Sequence, residues 1–346
     1  MLKVAICGGS GYTGGELLRI LSRHPSVTIT AVTSERSAGK SVVDLFPNLH
    51  THSNLIYEPL RAGNILNTAD LFFMALPHGE SQETVDLFFR QGKKVIDLSA
   101  DYRLKDAKTY QQWYNVEHKF QKTLDKAVYG LPELYRKKIS RANLIANPGC
   151  YPTGAILGLY PAIKNKLIDV ASIVIDSKSG TSGAGRKAEI AFSFCEVNEG
   201  FKAYAIATHR HIPEIEQELS AIAGKDIKVN FTPHLAPFDR GILSTIYSRL
   251  TKHMDTNKII ELYKKTYVNE PFTKVLEEGR FPNVKNVRGT NLCEIGLMVN
   301  QRTNTLIIVT GIDNLIKGAS GLAVQNMNIM MGFDEKTALD TAGLFP

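Results

Sequence analysis

Cysteine is scarce in this chain, and what there is of it is unpaired in sequence. The four cysteines, Cys7, Cys150, Cys195 and Cys293, lie far apart, with no C-x-x-C pair and no zinc-type spacing. That excludes a disulfide scaffold, points to a reducing compartment and gives no metal site to expect. No apolar run approaches the ~20 residues that a membrane-spanning helix needs. Internal repeats, low-complexity tracts and flexible linkers are missing as well. The N-terminal segment has no signal-peptide pattern, since after Lys3 it enters a short apolar run and then glycines. Lysines and arginines are scattered, so the net charge of +7 makes no clustered basic face for nucleic acid. What remains is a cytoplasmic globular protein whose positive charge suits acidic small molecules.

Turning to what is present, 346 residues suit two domains, and 43% hydrophobic with 22% charged residues is ordinary for packed cores. Leu2–Cys7 is short, apolar and followed by glycine, as a buried parallel strand should be. Gly14 to Leu21 carries Leu17, Leu18 and Leu21 at helical spacing and stops near His24-Pro25. Val27 to Thr33 reads as the next strand, with further strands at Leu71–Leu76 and Val95–Leu98 and a helix from Glu80 to Gln91 between them. This alternation predicts an α/β, Rossmann-type, doubly wound parallel sheet. After about residue 148 the texture changes. Ile173–Asp176, Ala203–Thr208, Ile227–Thr232, Gly241–Ser248 and Leu306–Val309 are strand-like, and Gly154–Lys164 and Glu214–Ile222 are helical, giving a mixed α+β domain. Ala319 to Met331 reads as an amphipathic closing helix.

Gly9-Ser10-Gly11-Tyr12-Thr13-Gly14 is G-x-G-x-x-G, overlapped by Gly8-x-x-Gly11-x-x-Gly14. Between a strand and a helix at the start of a βαβ unit, it predicts a dinucleotide site built from Gly8, Ser10, Gly11, Tyr12, Thr13 and Gly14. At the end of the second strand an acidic residue usually holds the ribose of NAD. Here the chain reads Thr33-Ser34-Glu35-Arg36. Ser34 and Arg36 suit a 2′-phosphate, whereas Glu35 leaves room for NAD.

Asn147-Pro148-Gly149-Cys150-Tyr151-Pro152-Thr153 places a cysteine between a Pro-Gly turn and a helix, with proline in the first helical turn. A helix N-terminus lowers a thiol pKa and exposes N–H groups where an oxyanion can form. Cys150 alone among the cysteines has that setting.

These motifs occur in order with others: Asp97-Leu98-Ser99-Ala100-Asp101-Tyr102-Arg103-Leu104, Tyr129-Gly130-Leu131-Pro132-Glu133, Ser179 to Arg186, His209-Arg210-His211-Ile212-Pro213-Glu214, Arg240-Gly241-Ile242, and Lys317-Gly318-Ala319 through Asn328. Along nearly its whole length the chain resembles the N-acetyl-γ-glutamyl-phosphate reductase family of arginine biosynthesis, related to aspartate-semialdehyde dehydrogenase. The resemblance implies NADPH-dependent reduction of N-acetylglutamyl 5-phosphate to the 5-semialdehyde, with phosphate released. It implies Cys150 as nucleophile, Asn326 as a cofactor contact, and a homotetramer or homodimer. It also implies a nucleotide domain of residues 1–148 plus 317–346 around a catalytic and oligomerisation domain of 149–316. Cys195 departs from the small polar residue expected there.

The chemistry suits the residues on its own terms. A thiolate attacks an acyl phosphate, phosphate leaves, and hydride reduces the thioester while an acid–base group handles protons. Arg103, Lys178 and Arg186 are candidate cations for the substrate's anionic groups. His209 and His211 lie two apart at a strand end, hence on one side if the strand continues. His209 is favoured as acid–base and His211 as orienter or substrate ligand, with Glu214 fixing a ring tautomer. Competing readings are a sister reductase for aminoadipyl or aspartyl phosphate and a non-catalytic NADP-binding regulator.

Overall fold

The structure is a computed structural model and describes residues 1–186 and 188–345. The chain divides into two compact units, Met1–Pro148 with Ala319–Asp340, and Gly149–Gly318 with Thr341–Pro346.

The first unit is built on a six-stranded sheet: β1 (Leu2–Cys7), β2 (Val27–Thr33), β3 (Leu71–Met74), β4 (Lys94–Asp97), β5 (Val128–Tyr129) and β6 (Leu144–Ala146). Their order is β2-β1-β3-β4-β6-β5, and every pairing is parallel. Strands β3 and β6 are buried along their whole length, which is why they read as continuous apolar runs. The chain leaves β1 for β2 on one side and returns to β3 on the other. The carboxyl end of β1 is therefore the topological switch point, where open α/β sheets bind ligands.

The closing helix, Gly321–Met331, packs on the helices Tyr12–Leu21 and Pro132–Ile139. Contrary to the amphipathic reading, its polar residues Gln325, Asn326 and Asn328 are wholly buried. Asn328 Nδ2 donates to the carbonyls of Glu335 and Thr337, its Oδ1 meets His24 Nε2 at 3.0 Å, and Gln325 donates to Glu335. Internal hydrogen bonds replace the solvent that those side chains would otherwise need.

The second unit holds a seven-stranded mixed sheet: β7 (Val174–Ser179), β8 (Lys202–Ala203), β9 (Asn230–Leu235), β10 (Ile242–Arg249), β11 (Thr273–Val275), β12 (Cys293–Asn300) and β13 (Thr305–Ile312), in the order β11-β12-β13-β10-β7-β9-β8. Along β10 buried and more exposed residues alternate, as on a sheet with one covered face. The helices Cys150–Lys164 and Thr256–Thr266 lie on that covered face, and Ile212–Ala223 packs against the first of them. The opposite face leaves Val174 and Tyr247 exposed.

Three sequence readings need correction here. Of the expected strand Ala203–Thr208 only Ala203 lies in a strand, β8 (Lys202–Ala203), because Ala205 and Ala207 take left-handed conformations (φ 45° and 56°) that break an extended path. The strand expected at Ile227–Thr232 starts later, at Asn230. Residues 317–318 and 341–346, expected with the first unit, group with the second, where Leu344 N–H donates to the Arg288 carbonyl.

Candidate functional site

Two sets of candidate residues take shape, one in each unit. In the first unit, β1 runs into Gly8, whose φ of +88° is a left-handed conformation that favours glycine. The N–H groups of Gly8 and Gly9 both donate to the Thr33 carbonyl, at 3.2 and 2.8 Å, fastening the loop to the end of β2. A Cβ on Gly8 would lie 2.3 Å from the Ala75 carbonyl oxygen, and one on Gly14 would lie 2.6 Å from Gly9 Cα. Gly11 is different: a Cβ there would meet nothing nearer than Gly8 O at 3.9 Å. The protein's own packing thus demands glycine at 8 and 14 but not at 11. Gly11 is also the N-cap of Tyr12–Leu21 and makes no side-chain cap, so its open side suits a pyrophosphate approaching the N–H groups and dipole of that helix.

Around the expected ribose end, Ser34 is buried; its hydroxyl donates to Ser10 Oγ at 2.7 Å and accepts the Ser37 N–H. The Glu35 carboxylate accepts the Leu60 N–H at 2.8 Å. Arg36 is exposed and in no ion pair among the described residues. Tyr12 is exposed, while Thr13 lends its carbonyl to the Ser320 hydroxyl. Asn326 is wholly buried and donates to Gly130 O at 2.8 Å and Asn147 Oδ1 at 3.1 Å, a brace between two turns.

The Asp97–Leu104 motif folds as a turn held by its own carboxylates. Asp101 accepts the N–H groups of Gly79 and Ser81 and the hydroxyls of Ser81 and Tyr110. Burial, with Asp101 alongside, pushes the Asp97 carboxyl up to about 7 against the opposing pull of Ser99 and Arg103. Arg103 itself is buried. Its Nε donates to Asn147 O and its Nη2 to Leu98 O, both at 2.8 Å. The cation expected to meet substrate is therefore a brace on the chain just ahead of Pro148.

In the second unit Cys150 opens the helix Cys150–Lys164, with Gly149 as N-cap. The Gly149 N–H donates to Glu214 Oε1 at 2.8 Å, and its carbonyl accepts both the N–H and the hydroxyl of Thr153. Glu214, 1% exposed, thus anchors the turn before Cys150 in addition to any role toward a histidine. Next to it stand four rings. His209 and His211 are 4.8 Å apart between ring centroids, and the ring of Tyr151 meets both in T-shaped contacts. Tyr204 OH meets Tyr151 OH at 2.8 Å. Burial chiefly, against the opposing pull of the Tyr151 hydrogen bond and helped by the proximity of Cys150, pushes Tyr204 up to about 12, so it remains a proton donor at neutral pH. Burial and then Arg210 push His209 down to about 4, and its Nδ1 accepts the His211 N–H at 3.1 Å.

The two histidines meet, though not by strand alternation: His209 lies in a turn and His211 is the N-cap of Ile212–Ala223. Lys178 is misplaced for the role expected of it. It shares the uncovered face of β7 with Asp176, to which its ammonium is paired at 3.0 Å, while Ile175, Ser177 and Ser179 face the covered side with the Cys150 helix. Arg186 is exposed, at the end of the 180–186 loop.

Residues 3–142 match the family model of the semialdehyde dehydrogenase NAD binding domain, and residues 150–314 match that of the semialdehyde dehydrogenase dimerisation domain. The N-acetyl-gamma-glutamyl-phosphate reductase of Geotalea daltonii is 56% identical over 100% of both chains, and that of Geobacter sulfurreducens 55% over the same span. The chain belongs to the semialdehyde dehydrogenase family, among the N-acetyl-gamma-glutamyl-phosphate reductases. Its fold is also that of aspartate semialdehyde dehydrogenase II from Vibrio cholerae, at TM-score 0.74 and 17% identity over 96% of this chain and 99% of that one. The same holds for the Candida albicans enzyme solved with NADP, at TM-score 0.72 and 16% identity over 96% and 99%. No helix among the described residues is long and apolar enough to cross a membrane.

Within this reductase family the sequence reading passed over Tyr151 and Tyr204. Tyr151 carried a signal, since it follows the cysteine directly; Tyr204 carried none, because only the turn brings it back.

The contrast between glycines is directly testable. Gly14→Ala should lower thermal stability sharply, because its methyl meets backbone at 2.6 Å. Gly11→Ala should melt close to the parent but lose dinucleotide affinity in a fluorescence titration. Equal loss of stability in the two variants would mean that Gly11 is a folding requirement and not a ligand requirement.

Proposed function

We propose that the chain carries out NADPH-dependent reduction of N-acetyl-L-glutamyl 5-phosphate to N-acetyl-L-glutamate 5-semialdehyde and phosphate, a step of arginine biosynthesis, through a thioester on Cys150. The observation that carries this reading is the setting of Cys150: first residue of a 15-residue helix, its turn pinned by a buried carboxylate, and followed directly by Tyr151, whose ring meets those of His209 and His211. The substrate follows the relatives' name.

Cys150 Sγ attacks the acyl carbon, and phosphate leaves with the electron pair of the broken C–O bond. N–H groups at the start of the helix face the oxygen that gains charge. When bound, the nicotinamide supplies the hydride that turns the thioester into a thiohemiacetal. That adduct then loses its hydroxyl proton as the C–S bond breaks, giving aldehyde and returning the electron pair to sulfur. His211 handles these protons. His209 is held neutral, and the N–H of His211 already occupies its Nδ1, so it orients the cluster. This reverses the order of roles that the sequence favoured. Tyr204 donates to substrate oxygen, and Arg186 supplies positive charge for phosphate or carboxylate.

The first unit takes the dinucleotide through Gly8, Ser10, Gly11, Tyr12, Thr13 and Gly14. Arg36 selects NADPH because it is exposed and outside ion pairs, while Glu35 is engaged with Leu60 N–H. Asn326 supports this site from behind, through Gly130 and Asn147. The second unit joins subunits into a homodimer or homotetramer, with the uncovered sheet face around Val174 and Tyr247 as the surface. A cytoplasmic location accompanies this role.

Three measurements check the reading. Cys150→Ala should bind NADPH as the parent does and lose turnover by orders of magnitude, with iodoacetamide labelling Cys150 ahead of the other cysteines in the parent. A fully active alanine variant would end the thioester mechanism. Arg36→Ala should weaken NADPH by about tenfold to a hundredfold, from a lost charge-assisted contact of ~1.5–3 kcal/mol, and leave NADH unchanged. Equal use of both nucleotides by the parent would remove the case for Arg36. His211→Asn should lower kcat by ~10²–10⁴ and flatten its pH profile. His209→Asn should keep the parent's profile near neutrality, since His209 stays unprotonated until about pH 4. The opposite pattern would return the proton to His209.

A further inference from the structure

Strand β13 ends at Ile312, and the chain then turns around a single side chain. Asp313 is wholly buried. Its Oδ1 accepts the N–H groups of Leu315 at 2.8 Å and Ile316 at 3.2 Å, and its Oδ2 accepts that of Gly289 at 2.9 Å. Its main-chain carbonyl accepts the Gly318 N–H at 2.9 Å, and Arg240 Nη1 stands 3.7 Å from Oδ2. A carboxylate costs a great deal to bury unless donors fill its lone pairs. Here the donors come from main chain on both sides of the carboxylate, so the path of residues 313–318 is fixed by it. Asn314 extends the fastening, accepting the Gly241 N–H at 2.7 Å and donating to Ser182 Oγ at 2.9 Å.

The turn closes in a single π-helical stretch, Ile316–Ser320, a form often found where function needs an irregular backbone. Within it, a Cβ on Gly318 would lie 2.8 Å from Cys150 Cβ and 3.2 Å from Cys150 Cα. Glycine at 318 therefore lets bare backbone lie directly against the nucleophile's first side-chain carbon. A wall on that side of Cβ limits the rotamers open to Sγ.

We infer that Asp313 is a positioning residue for Cys150, its carboxylate shaping the 313–318 turn so that Gly318 forms the wall against which the nucleophile rests. The inference rests on Cys150 being the nucleophile. Asp313 touches neither substrate nor cofactor in this role; it acts through Gly318.

The test uses the full chain and the variants Asp313→Asn, Gly318→Ala and Cys150→Ala. Asp313→Asn keeps the side chain's shape but turns an amide donor toward a main-chain N–H. Gly318→Ala leaves the bonds of the Asp313 carboxylate in place and adds one methyl against Cys150. Each is assayed for kcat, for NADPH binding by fluorescence, and for the pH midpoint of Cys150 alkylation by iodoacetamide. Both positioning variants should lose about 10²-fold in kcat, as displacement of a reacting group by an ångström does. NADPH binding should be preserved, and the alkylation midpoint should move upward as the thiolate leaves its place at the helix start. Should Asp313→Asn fail to fold, Gly318→Ala decides alone. A kcat within about threefold of the parent, an unmoved midpoint, or loss of NADPH binding by Gly318→Ala overturns the inference. Cys150→Ala separates the two readings. If it keeps turnover, the thioester mechanism itself falls. If it is inactive while Gly318→Ala is unimpaired, only the positioning role falls.

Discussion

The buried bond from Gly149 N–H to the Glu214 carboxylate ties the start of one helix to the start of another. Gly149 is the N-cap of the helix that Cys150 opens, and Glu214 lies in the first turn of the helix that His211 caps. One hydrogen bond of 2.8 Å thereby ties the turn before Cys150 to the helix that His211 caps. Burial strengthens such a bond, because a main-chain N–H and a carboxylate shielded from bulk solvent interact through a low dielectric. The other contacts of the cluster elaborate that tie: Thr153 closes the Gly149 carbonyl, the ring of Tyr151 meets both histidines, and Tyr204 meets Tyr151 from the turn beyond β8.

A steric constraint plays the corresponding part in the nucleotide unit. The loop after β1 is so close to the main chain of Ala75 and Gly9 that side chains at 8 and 14 are impossible without movement. Gly11 has space around it, and the same three-glycine pattern thus mixes residues demanded by the fold with one that its packing does not demand. Such a distinction is invisible in a motif, which records identity and not the reason for it.

How much was legible in the sequence depended on the range of the interactions involved. β1 and β2 have the bounds their apolar runs announced, and the helix after Cys150 was announced by its Pro-Gly turn and by Pro152. Misreadings arose where distant parts of the chain decide. Ala203 to Thr208 alternates like a strand, but its backbone turns through two left-handed alanines that no local pattern reveals. Arg103 looked like an anion ligand because charge suggests solvent or substrate, yet it is buried, and carbonyls of Leu98 and Asn147 take two of its donors. Lys178 has suitable chemistry on the wrong face of β7, and a face is known only once the strand's neighbours are.

By itself the sequence determined the family, most of the elements of the first unit and the place of Cys150 at a helix start, because helix caps, glycine turns and apolar periods act over a few residues. Tertiary structure alone decided which polar residues serve inside the protein: Asn326 and Asn328 in the closing helix, Glu214 at the Gly149 turn, and Asp313 beneath Gly318. It also sets the two histidines apart, since burial and then Arg210 push His209 down to about 4 while its Nδ1 accepts the His211 N–H, and nothing in their spacing shows this. The physical reason is common to all of these. A polar side chain's role is set by its desolvation and its partner, and both are properties of the assembled fold.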